Sequence, residues 1–130
     1  MRWYIDSSAI LKLIKPENES WELKSSLSGL LTTSLLARVE VIRTINNYFP
    51  ELLEGAHDVL ADISMIPLDY STITTAENLP SFIKLRASDS IHIASALVLK
   101  SELDGIITYD KEMIKAAESL GFKTMSPGMK

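Results

Sequence analysis

There is no cysteine in the 130 residues, which excludes disulfides, thiolate metal sites and a cysteine nucleophile together and fits a reducing compartment. Neither of the two histidines has metalloprotease spacing, and none of the five glycines builds a phosphate-binding loop or a nucleophile elbow. No apolar run approaches the roughly 20 residues that a membrane helix needs. The first residues enter a strand at once and leave no room for a signal peptide, so the chain reads as cytoplasmic and without a membrane partner.

What is present is ordinary for a globular protein: 46% hydrophobic and 23% charged residues. There is no compositional break, which predicts a single domain over 1–130, long enough to bury roughly two-thirds of its unfolded surface. The formal charge of -4, from 17 acidic and 13 basic residues, argues at first sight against a nucleic-acid partner. That inference weakens if several carboxylates are committed to a metal, because local basic clusters then remain for phosphate.

The chemistry is concentrated in LRASDSIHIASALVLKSELDGIITYD, from Leu85 to Asp110. It reads as a polar turn, an apolar helix over Ser90–Ser101, an Asp104-Gly105 turn, and a buried strand over Ile106–Tyr109. Asp89 lies in the opening turn of the helix, where free backbone N–H groups and the positive end of the dipole favour a carboxylate. Side-chain alternation points Thr108 and Asp110 the same way.

From the N-terminus, Arg2–Ile5 is a strand ending at Asp6, and Ser7 and Ser8 are N-cap candidates for a helix over Ala9–Ile14 stopped by Pro16. Glu17–Ser28 is a second helix, with Trp21 and Leu27 as its main apolar contacts, and Leu30–Ser34 a second strand. The helix Leu35–Phe49 carries Glu40 among Leu36, Val39, Val41 and Ile42. Beyond Pro50 come a helix over Glu51–Asp62, a strand over Ser64–Leu68, a helix over Ser71–Asn78 and a loop over Leu79–Ser88. A last helix over Asp110–Leu120 and a short edge strand over Phe122–Met125 complete the chain. Alternating strands and helices predict an α/β fold of three layers, a mainly parallel sheet flanked by helices and joined by right-handed crossovers.

In such sheets ligands bind beyond the carboxyl ends of the strands. Asp6 and Asp110 fall there directly, and Asp89 and Glu40 are read as lying in the opening turns of helices that can face the same crevice. Carboxylates crowded without basic partners are tolerated mainly around a hard cation, so oxygen-only ligands select Mg2+ or Mn2+. Such ions bind phosphate oxygens, generate a hydroxide nucleophile and stabilise a leaving oxygen, which makes phosphodiester hydrolysis the natural reaction.

YIDSSAILKL, Glu40 within ARVEVIR, LRASDSIHIASAL and IITYDKEMIKAA together give the chain a resemblance to the PIN-domain ribonucleases, and within them to the VapC-type toxins of prokaryotic toxin-antitoxin pairs. It covers nearly the whole chain. The resemblance implies a PIN-like fold and a metal-dependent endoribonuclease acting on RNA, dimeric and held inactive by a cognate antitoxin. It assigns Asp6, Glu40, Asp89 and Asp110 to the catalytic metal site, with Ser8 and Thr108 supporting it. Ser7 stands where the family commonly has threonine.

Each residue also has a plainer reading. Asp6 and Asp110 can be helix caps, Asp89 a dipole partner, and Glu40 can turn outward or pair with Arg43 three residues on. His92, one turn after Asp89, is a candidate RNA contact or simply a packed helix residue. Lys12, Arg86 and Lys111 are candidate phosphate contacts or merely solvated. Two other functions fit parts of the pattern. An aspartyl-phosphate hydrolase places an aspartate after its first strand, but its usual second aspartate is replaced here by Ser8; a non-cleaving RNA- or protein-binding module of the same fold would keep the acids.

Overall fold

The computed structural model describes residues 1–130. Its centre is a five-stranded sheet, β1 (Arg2–Ile5), β2 (Leu30–Ser34), β3 (Ser64–Ile66), β4 (Gly105–Ile107) and β5 (Thr124–Met125), in the order β3-β2-β1-β4-β5. Every pairing is parallel. The helices are α1 (Ser7–Ile14), α2 (Ser20–Ser26), α3 (Leu35–Tyr48), α4 (Leu53–Ala61), α5 (Tyr70–Glu77), α6 (Ala87–Val98) and α7 (Lys111–Ser119).

Alternation along the central strands divides the core in two. Ile5 and Ile107 pack on one face with Ala9 and Ile10 of α1, Leu23 of α2 and Val41 and Ile45 of α3. Tyr4 and Ile106 turn to the other face, against Ile93 and Ala96 of α6 and Met113 and Ala117 of α7. β4 is buried along its whole length, and its first residue has to be glycine. A Cβ on Gly105 would stand 2.5 Å from the Lys123 carbonyl oxygen and 2.6 Å from the Trp3 ring.

The strand order reverses between β1 and β4, which neighbour each other although the chain leaves them in opposite directions. A crevice opens beyond the carboxyl ends at such a point. Asp6 follows β1 and Asp110 follows β4 at this end of the sheet.

Several boundaries differ from the sequence reading for local reasons. Asp6 itself caps α1, its side chain accepting from the Ala9 N–H, so the helix starts at Ser7 and neither serine is the cap. The Glu17 N–H bonds to Ser20 Oγ at 2.9 Å in a turn, and α2 shrinks to seven residues. With Ser20 and Leu23 on its buried side, Trp21 falls outward and is 75% exposed, so Leu23 makes the apolar contact instead. The helix around Asp89 begins at Ala87 and gives way to a 3-10 turn, Lys100–Glu102. β3 and β4 end at Ile66 and Ile107, so Thr108 and Tyr109 lie past the strand. Gly121, at φ 87°, ends α7 with the Phe122 N–H bonded back to the Ala117 carbonyl.

Candidate active site

Asp6 is 4% exposed and every part of its carboxylate is engaged. One oxygen accepts from the Ala9 N–H at 3.1 Å and from Ser8 Oγ at 2.6 Å, while the other accepts from Thr108 Oγ1. Burial pushes the carboxyl above its usual range, against the opposing pull of the Ser8 and Thr108 bonds and of nearby His92. The two hydroxyls also accept: Ser8 Oγ from the Tyr109 N–H and Thr108 Oγ1 from the Asp110 N–H, both at 3.1 Å. They therefore tie the end of β1 to the end of β4.

Glu40 does not turn outward, and its partner is not Arg43. Its Oε1 accepts from Ser7 Oγ at 2.7 Å and lies 2.6 Å from His92 Nε2. Burial raises the Glu40 carboxyl, but the His92 and Ser7 bonds outweigh it and hold the group below its ordinary value. His92 is 3% exposed, and its Nδ1 lies 2.6 Å from the Tyr4 hydroxyl. Burial drives the Tyr4 phenol far above its normal range, and its hydroxyl donates a hydrogen bond to Nδ1 of the neutral imidazole. Nε2 then carries the imidazole proton and donates to Glu40, completing a buried phenol–imidazole–carboxylate chain.

Asp89 is the third residue of α6 and makes no hydrogen bond to the helix it opens. Its nearest cation is Arg86, with Nε 3.9 Å away on a side chain 87% exposed, a contact worth little in water. Burial first and the negative charge of Asp110 second push the Asp89 carboxyl up, with Glu40 adding to the effect and His92 and Arg86 opposing it. Asp110 caps α7 through Oδ1, which accepts from the N–H groups of Glu112 at 2.8 Å and Met113 at 3.2 Å. Its strand end is strapped from behind, since Ser126 Oγ donates to the Thr108 carbonyl at 2.6 Å and the Tyr109 hydroxyl to the Pro127 carbonyl at 2.7 Å.

The four acids thus occupy one end of the sheet and are linked, Asp6 to Asp110 through Thr108, and Asp89 to Glu40 and Asp110 by mutual repulsion. No three of them, as they stand, close around a single point in the manner of a finished metal site. The donor chemistry nevertheless suits a hard divalent ion. The donors are all oxygen, Asp89 accepts no hydrogen bond, and Glu40 Oε2 and Asp110 Oδ2 are uncommitted.

The other candidate residues are dispersed. His92 faces inward and holds Glu40 rather than meeting solvent. Lys12 bonds to Glu17 at 3.2 Å and Glu19 at 3.0 Å and lies over the Tyr109 ring. Arg86 and Lys111 are exposed beside Asp89 and Asp110. Sequence reasoning missed Ser7, Tyr4 and Ser126 as members of this network. A second hydroxyl after the first aspartate was a usable signal for Ser7; a strand tyrosine reads only as packing, and Ser126 lies in a tail with no pattern.

Comparisons with known proteins establish the family. Ribonuclease VapC47 of Mycobacterium tuberculosis is 36% identical over 132 residues, covering 96% of this chain and 96% of that protein. Ribonuclease VapC46 of the same species is 35% identical over 126 residues, with 95% and 96% covered. Among solved structures, a toxin-antitoxin complex from Klebsiella pneumoniae superposes with a TM-score of 0.78 at 16% identity, over 98% of this chain and 99% of that one. M. tuberculosis VapC20, a sarcin-ricin loop cleaving toxin, gives 0.75 at 13%, over 98% and 100%. The PIN domain profile matches residues 3–119. With that match and relatives above one-third identity over nearly their whole length, the chain belongs to the PIN domain family.

Proposed function

We infer that this protein is an endoribonuclease of the toxin-antitoxin kind, hydrolysing RNA phosphodiester bonds with Mg2+ or Mn2+ held by Asp6, Glu40, Asp89 and Asp110. The observation that carries this reading is Asp89, a partly buried carboxylate that accepts no hydrogen bond and is pushed up by burial and by Asp110. The chain supplies negative charge there that it does not itself neutralise, which is the electrostatic condition for a bound cation. Relatives named as ribonucleases, at 35% and 36% identity over nearly the full chain, support RNA as the substrate.

A divalent ion at this position would neutralise the scissile phosphate and acidify an attacking water. The residues of the chain do the orienting. Ser8, Thr108 and the Ala9 N–H fix Asp6, while Ser7 and His92 hold one oxygen of Glu40 and leave the other uncommitted. The first turn of α7 holds Asp110 in the same way. Partners behind the ligands set their geometry before substrate arrives, so less reorganisation remains in the reaction itself.

The same reading includes a cognate antitoxin and a homodimer; the fold neighbour from Klebsiella pneumoniae is itself a toxin-antitoxin complex. The test is cleavage of labelled RNA by the wild type with Mg2+ or Mn2+ and with chelator, beside Asp6→Asn and Glu40→Gln. Cleavage confined to the wild type with metal is the expected result. Equal cleavage with chelator, or undiminished cleavage by either variant, overturns the assignment.

A further inference from the structure

We propose that the recess between the segment Phe82–Leu85 and the outer face of α7 seats an unpaired RNA base next to the acidic crevice, with Lys84 and Lys115 holding the adjoining phosphates. The proposal rests on the nuclease reading and adds to it where the strand lies. The recess has a volume of about 130 Å³, with Phe82, Leu85 and Ala116 among its apolar walls and Lys84, Lys115 and Glu112 among its polar ones. That is about ten times the roughly 10–15 Å³ needed for one water and well below the roughly 300 Å³ at which cofactor pockets begin. One flat ring system suits it.

Phe82 is 64% exposed, so the core gains little from it. An aromatic face open to water beside lysines is the element that single-stranded nucleic acids use, because every base can stack on it while the cations follow the backbone. Lys84, Lys111 and Lys115 are exposed and make no ion pair, and Arg86 makes only its long contact to Asp89. In a chain of net charge -4 this is a local concentration of free positive charge. Glu112 is the one acid in the wall; it disfavours a phosphate at its own position and can accept from a base amino group.

The recess adjoins the site through the chain. The Glu112 N–H is bonded to Asp110 at 2.8 Å, and Leu85 immediately precedes Arg86, which touches Asp89. From Asp110 to Lys115 the helix advances about 7.5 Å at 1.5 Å per residue, roughly two rises of a stacked strand. A strand with its scissile phosphate at the acids therefore reaches the recess within one or two nucleotides. A duplex keeps its bases stacked inside and cannot fill it, and an acidic peptide would use the lysines but not the ring.

The experiment is binding of a short labelled single-stranded RNA and its blunt duplex, in chelator, to wild type, Phe82→Ala and Lys84→Ala/Lys115→Ala, followed by anisotropy across a salt series. A second probe carries 2-aminopurine, whose fluorescence is quenched on stacking. Phe82→Ala should weaken single-strand binding on the order of tenfold, abolish the quench and leave duplex binding unchanged. The double lysine variant should lower the slope of log K against log salt by about 1.4, at roughly 0.7 per phosphate. Wild-type affinity, quench and slope in these variants would overturn the recess, as would equal losses for strand and duplex. Cleavage with metal is scored separately. Cleavage without Phe82-dependent binding refutes the recess alone, Phe82-dependent binding without cleavage refutes the nuclease alone, and neither binding nor cleavage by the wild type refutes both.

Discussion

Replacing Tyr4 by phenylalanine removes one oxygen from a fully buried part of the site. The ring of Tyr4 is fully buried against α6 and α7 and would remain, so no large cavity forms. What is lost is the hydroxyl 2.6 Å from His92 Nδ1. Because His92 is 3% exposed, water cannot replace that donor freely, and an unsatisfied buried acceptor costs about 1–3 kcal/mol. Taking about 2 kcal/mol, and the few degrees per kcal/mol appropriate to domains of this size, the melting temperature should fall by roughly 6–10 °C. Urea denaturation of metal-free protein gives the free energy directly, and an unchanged m-value would show that only native stability has moved. Combining Tyr4→Phe with Glu40→Gln should give a non-additive pair, with a coupling of about 0.5 kcal/mol or more, because the imidazole connects them. A change under about 0.5 kcal/mol, with additive behaviour in the double variant, would refute the chain from Tyr4 through His92 to Glu40.

Three further outcomes follow from other parts of the molecule. In chelator at neutral pH, Asp89→Asn should melt at or above the wild type, because one of two mutually repelling carboxylates is gone, and its gain from added Mn2+ should be the smaller; equal gains would remove Asp89 from the site. Asp69 caps α5 by accepting from the Thr72 N–H at 2.9 Å and Thr72 Oγ1 at 3.1 Å, bonds that hold its carboxyl below the usual range. Its contribution is present above the unfolded carboxylate pKa and lost as pH falls through the lower folded value, so melts of wild type and Asp69→Ala should differ at neutral pH and converge in acid; a constant difference would contradict the cap. Leu23→Ala should cost about 2–5 kcal/mol and Trp21→Ala less than about 0.5 kcal/mol by denaturation, and the reverse order would contradict the orientation of α2.

Most of the architecture was legible because it rests on periodicity. β-branched runs between amphipathic helices identified the parallel sheet, and three of the four acids were placed by their positions after β1, after β4 and at the start of α6. Glu40 was singled out because a carboxylate among Leu36, Val39 and Val41 needs a partner, but that partner lies in α6, 52 residues away, and no local rule could choose His92 over Arg43. Trp21 misled for a related reason: in a helix shortened to seven residues, one residue of phase decides between core and solvent. The cap reading of Asp6 and Asp110 holds, and only the two serines offered as caps of α1 do not serve as such. Each aspartate holds a helix N-terminus with one oxygen, while the other oxygen of Asp6 accepts from Thr108 and that of Asp110 is uncommitted.

The central claim, that the four acids form one divalent-cation site, is tested most directly by titrating metal-free protein with Mn2+ and following the free ion by electron paramagnetic resonance, for the wild type and for Asp6→Asn, Glu40→Gln, Asp89→Asn and Asp110→Asn. Saturable binding by the wild type, weakened in all four variants while a surface control such as Glu54→Gln binds normally, is the predicted result. Binding that is as tight in every variant as in the wild type, or that is absent from the wild type, would contradict it.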